Sequence, residues 1–148
     1  MNKATLQLIA YVGAVLLAVA GVVCVFQPFN RDEVGFCRRV FGALTTGSRY
    51  IQESIDWEHF QALGADVGAE YQRLPNDEER AKFQESFIVK CAQGFRQEKG
   101  RLDDFVNWRL QQRGPMALVA ADYPSKQKTL LFQVSTVGEK QLTAIQWQ

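Results

Sequence analysis

Phe83-Gln84-Glu85-Ser86-Phe87-Ile88-Val89-Lys90-Cys91-Ala92-Gln93-Gly94-Phe95, with Val106-Asn107-Trp108-Arg109-Leu110-Gln111 after ten intervening residues, is where the chain changes its hydrophobic period. In the first stretch Phe83, Phe87, Ile88, Cys91 and Phe95 recur three and four residues apart, which is one stripe of a helix. In the second, Val106, Trp108 and Leu110 alternate with polar neighbours, as on a strand with one covered face. Gly100 closes the helical stretch, and the period becomes 2 after Leu102. Towards the C-terminus the strand pattern persists. Ala117–Ala121 is a short apolar strand, Tyr123-Pro124-Ser125-Lys126 reads as a turn, and Leu130, Phe132 and Val134 alternate. Gly138 ends that strand, and Leu142, Ala144 and Gln146 alternate with Thr143, Ile145 and Trp147. The short connections predict an antiparallel meander of about four strands.

Towards the N-terminus the helical period recurs. Asn76 with Glu79 has the form of a capping box for the Phe83 helix, and Asp77 and Glu78 place negative charge in its first turn. Asp56 is a cap for a second, shorter helix carrying Trp57, Phe60 and Leu63 before Gly64, with Val67 and Tyr71 continuing irregularly to Leu74-Pro75. Asn30 with Glu33 is another capping box, and Phe36, Cys37, Val40, Phe41 and Leu44 form an apolar stripe that Thr45-Thr46-Gly47-Ser48 breaks. Three helices followed by strands predict an α+β domain over residues 29–148, its helices packed on one face of a curved antiparallel sheet.

Residues 1–28 read differently. From Leu8 to Phe26 there are 19 consecutive residues without a charge, an Asn or a Gln. As a helix this run spans roughly 28 Å, the hydrocarbon thickness of a bilayer. Pro28 stops it. A single N-terminal transmembrane anchor is expected. The rival is cleavage after Ala18-Val19-Ala20, a small-x-small site that would remove residues 1–20, although the run stays apolar beyond it through Phe26. Lys3 lies on one side and Arg31, Arg38 and Arg39 on the other, so the positive-inside rule does not fix orientation. A short tail before a single anchor favours the domain outside the inner membrane, in the periplasm of a bacterial envelope.

The rest of the composition excludes classes of function. Lys3 is the one basic residue before position 29, leaving 16 basic against 16 acidic residues in the domain. That balance supplies no field for nucleic acid. With one His and separated cysteines, no metal centre is expected, and no glycine-rich phosphate loop or other cofactor motif is present.

Helices first and a curved sheet after, with Ile55-Asp56-Trp57 opening the second helix and Phe83, Phe87 and Phe95 on the third, resembles the nuclear transport factor 2-like fold. The resemblance covers most of residues 30–148 and implies helices lying across the sheet over a conical pocket. Two membrane-linked groups within it are also similar. The periplasmic assembly subunits of type IV secretion systems share a single anchor before such a domain, in a longer chain. The periplasmic phospholipid carriers of the toluene-tolerance type are similar at Ile55-Asp56, Leu63-Gly64 and Arg80 with Phe83 and Phe87; they carry a long C-terminal part that has no counterpart here.

Candidate chemistry is sparse. Asp56 and His59 stand three residues apart, on one helical face, and a tuned pair of this kind supports proton transfer in a pocket; the plainer reading is a capping Asp beside a half-exposed His. Trp108, Arg109 and Tyr71 are the candidate ligand contacts, with Arg109, Asn107 and Gln111 on one strand face that otherwise simply meets water. Cys37 and Cys91 lie on facing stripes and are a candidate disulfide in an oxidising compartment; closing about 55 residues stabilises by roughly 4 kcal/mol. Otherwise they are small buried apolar residues. The expected function is therefore a single-pass, membrane-anchored, non-enzymatic envelope module that binds a partner protein or a small apolar ligand. The alternatives are a periplasmic lipid-binding domain and a pocketed acid–base enzyme using Asp56 and His59.

Overall fold

A computed structural model describes residues 32–148. The anchor expected within residues 1–28, its cleavage site and the Asn30 cap lie outside the described residues. Among the described residues no helix is long and apolar enough to cross a membrane.

The domain is α+β. Helix α1 spans Glu33–Thr46, and its cap is Asp32, whose Oδ1 accepts from the Gly35 N–H at 2.6 Å. Gly47 ends α1 at φ 77°, a left-handed conformation that favours glycine, and the N–H groups of Gly47 and Ser48 return to Leu44 and Ala43. A 3-10 turn over Arg49–Ser54 follows. Strands β1 (Gln61–Ala62) and β2 (Ala65–Asp66) form a small hairpin, and α2 spans Val67–Gln72 behind its cap Asp66. Helix α3 runs from Asp77 to Gln97 with Asn76 as cap, its Oδ1 accepting from Glu79 N–H at 2.9 Å. The strands β3 (Val106–Gln112), β4 (Met116–Tyr123), β5 (Lys128–Ser135) and β6 (Gln141–Trp147) complete the chain.

The sheet has six strands in the order β2-β1-β6-β5-β4-β3. The last four are the antiparallel meander expected from the alternation. The sheet as a whole is mixed, because β1 pairs parallel to β6 through Gln61↔Ala144 and Ala62↔Ile145. This corrects the expectation of a purely antiparallel sheet of about four strands. It also corrects the second helix, which does not start at Asp56. Ile55 bridges Leu142, and the Asp56 N–H donates to Leu142 O at 3.0 Å, so the chain is tied to β6 here before a short turn over 57–59, where the His59 N–H donates to Asp56 O at 3.1 Å. Leu63 and Gly64, at φ 51° and 93°, then make the two-residue turn of the β1–β2 hairpin. Apolar spacing of three residues at Trp57, Phe60 and Leu63 imitated a helix, while the pairing that decides the matter lies far along the chain.

Helix α1 packs on β3, β4 and β5 and against α3. Its Phe41 ring is the centre of the core, with Phe105, Phe132 and Phe95 edge-on at 4.8, 5.4 and 5.9 Å. From the sheet, Leu130, Phe132 and Val134 of β5 and Leu142 of β6 are fully buried beneath it. Thr143 is the buried polar residue among the described ones, and its hydroxyl donates to Gln133 O at 3.1 Å, so no orphan group is left there.

Candidate functional site

Helix α3 presents two faces to the protein. Ile88 and Ala92 are fully buried in the main packing. The flank formed by Phe87, Lys90, Cys91, Gly94, Phe95 and Glu98 recurs at three and four residues and borders a cavity of about 420 Å³. The opposite wall comes from the sheet: Leu130 of β5, Ile145 and Trp147 of β6, and Tyr123 at the end of β4. Phe41 and Leu44 of α1 contribute, and Ala62 and Leu63 stand at the β1 edge. Leu63, 57% exposed, lies at the rim. The volume falls within the range of about 300–1,000 Å³ that small-molecule sites occupy.

Two features keep this space open. An added Cβ at Gly94 would meet nothing within 4 Å, so the helix flank is short of one side chain where the cavity lies. On the sheet side, Phe105, Tyr123 and Trp147 stack on one another, with Phe105–Tyr123 centroids at 4.7 Å and Tyr123–Trp147 at 6.1 Å. These rings brace one another instead of filling the gap. Lys128 Nζ stands 5.7 Å over the Trp147 ring.

The polar groups of the wall are few. The Thr45 hydroxyl donates to Gly42 O at 2.8 Å. Lys126 Nζ is paired with Glu98 Oε2 at 3.3 Å. Lys90 has no ion pair or hydrogen bond among the described residues. Cys91 is a free thiol, and burial pushes its pKa up to about 11, which keeps it neutral at ordinary pH. Cys37 is likewise free and is fully buried on α1, where burial and then the nearby Glu33 carboxylate push its thiol far upward. The bridge between them that the facing stripes suggested is not formed.

The residues singled out from the sequence sit elsewhere. Asp56 and His59 do meet, with His59 Nδ1 3.0 Å from Asp56 Oδ2, but the imidazole is 70% exposed and neither residue lines the cavity. Trp108 is packed between Phe41 and Phe132, at 6.2 and 5.2 Å, and its indole N–H donates to Phe105 O at 2.9 Å. Arg109 of the edge strand β3 reaches across to Asp122 Oδ1 of β4 at 2.9 Å. The Arg109 guanidinium, helped by Asn107 and Thr129, holds the Asp122 carboxyl below the usual carboxylate range. Tyr71 belongs to an aromatic group with Trp57 and Phe83, where Arg80 stacks 5.4 Å over its ring. None of Trp108, Arg109 and Tyr71 lines the cavity.

Sequence reasoning missed Lys90, Gly94 and Glu98. Their signal was available: they continue the Phe87–Cys91–Phe95 rows around the flank of α3, where a glycine in a helix interior has no propensity reason to stand. Among the described residues, no group of three His, Cys, Asp or Glu side chains is placed to hold a metal ion. No protein-family model, no curated protein and no solved structure matches the chain.

Proposed function

We propose that the domain is a non-catalytic binding module that holds a small apolar molecule in the cavity between α3 and the sheet. The observation that carries this reading is the cavity itself, about 420 Å³ walled by Phe, Leu, Ile and Trp side chains with few polar groups. Each methylene transferred from water into such a wall contributes about 0.8 kcal/mol. Helices over one sheet face with a cavity between them also favour the nuclear transport factor 2-like kinship as a fold. Leu8–Phe26, as a bilayer-length apolar run, supports attachment of this module to a membrane. Acid–base catalysis by Asp56 and His59 gains no support, because the pair lies outside the cavity and is open to water.

Cys91 in the cavity wall supplies the test. In the full chain held in lipid nanodiscs, alkylation of Cys91 by a maleimide is followed by peptide mass spectrometry while dodecanol is added. Occupation of the cavity slows Cys91 alkylation in a saturable manner, and a bulky Gly94→Phe side chain slows it without ligand. An alkylation rate that is indifferent to both refutes the binding reading.

A further inference from the structure

We propose that the occupant of the cavity is a single-chain amphiphile with an anionic head, its carboxylate seated against Lys90; this rests on the binding reading above and names the ligand class. Three observations carry it. First, volume: a water-sized group takes roughly 30 Å³ in the liquid, so the space suits a chain on the order of a dozen heavy atoms and is too small for two acyl chains and a headgroup. Second, chemistry of the wall: Phe87, Phe95, Leu130 and Ile145 offer apolar contact along its length and no buried hydrogen-bonding group that would ask for a polar ligand body. The Thr45 hydroxyl in the wall is already spent on Gly42 O.

Third, charge at the border. Lys90, Glu98 and Lys126 are the ionic side chains of the wall. Glu98 and Lys126 satisfy each other at 3.3 Å, which leaves the Lys90 ammonium as the surplus charge. Lys90 stands one helical turn before Gly94, on the same flank of α3 as Phe87 and Cys91. A carboxylate accepting from Lys90 Nζ therefore leads straight into the space that the missing Gly94 side chain leaves. A neutral alcohol of equal length gains the apolar contact and forgoes the ionic one.

The experiment compares dodecanoate with dodecanol, again read as protection of Cys91 from maleimide in the full chain in nanodiscs, for the wild type and for Lys90→Gln, Lys90→Arg and Lys126→Gln. Comparing variants with the same ligand removes the effect of partition into the bilayer. Lys90→Gln should weaken dodecanoate protection about fivefold, the size of an ion pair at a water-facing site, and leave dodecanol protection unchanged. Lys90→Arg should retain dodecanoate protection, and Lys126→Gln should alter it less than twofold. Unchanged dodecanol protection also shows that the Lys90→Gln fold is intact. Dodecanoate protection that is equal in wild type and Lys90→Gln overturns the headgroup assignment while leaving the binding reading in place, as does a larger loss in Lys126→Gln. Absence of protection by either ligand in the wild type removes both.

Discussion

Cys91 shows how a single buried group reports on its surroundings. Its thiol is pushed up to about 11 by loss of solvent, so at neutral pH roughly one molecule in ten thousand carries the thiolate that reacts. Alkylation of Cys91 should therefore accelerate about tenfold for each unit of pH from neutrality towards 11, measured by peptide mass spectrometry without ligand. The sign for stability follows from the same shift. Below 9.0 the thiol is protonated in folded and unfolded chains alike, and stability is unaffected; between 9.0 and about 11 the unfolded chain loses its proton first, so stability falls across that window. Cys37, raised further, acts in the same direction. At this scale the sequence was partly legible. Asp56 and His59 stand three apart and do touch, because local spacing is enough to bring them together. Trp108 was visible as the covered side of a strand, but what covers it, Phe41 and Phe132, comes from elements far along the chain. Lys90 has nothing in its local sequence to mark it, and only the position of Gly94 one turn on distinguishes its flank.

The elements were legible where their signals are local. Asn76 at the start of α3 is such a case: its side chain accepts from Glu79 N–H, with Asp77, Glu78 and Glu79 in the first turn complementing the helix dipole. Asn76→Ala should cost about 1 kcal/mol, read from the denaturant midpoint with the slope unchanged. Asn76→Asp should keep the stability. The four strands of the meander were equally plain, since each pairs with a neighbour joined by a short connection. The stretch from Ile55 to Asp66 was not. Ile55, Gln61 and Ala62 pair with β6, and no local pattern encodes a partner that distant. The Leu63-Gly64 turn carries none of the usual hairpin dipeptides, and the apolar spacing of three at Trp57, Phe60 and Leu63 suits a helix as well.

For the whole molecule the core has one centre. Phe132 is fully buried, with the Phe41 ring edge-on at 5.4 Å and the Trp108 ring stacked at 5.2 Å, so it joins sheet to α1. Phe132→Ala should remove about 3–5 kcal/mol of stability by chemical denaturation, a large part of what a domain of this size holds. A loss under 1 kcal/mol would mean that the core is not organised around that contact. The parallel pairing of β1 with β6 has another consequence, one that belongs to time. Gln61 waits for Ala144, so during synthesis β1 leaves the ribosome long before the strand that receives it. The helices are likewise made before the sheet they cover, and α1 must carry its bare stripe of Phe36, Cys37, Val40, Phe41 and Leu44 through that interval. A nascent chain of this topology leaves that stripe uncovered until its last hairpin is in place.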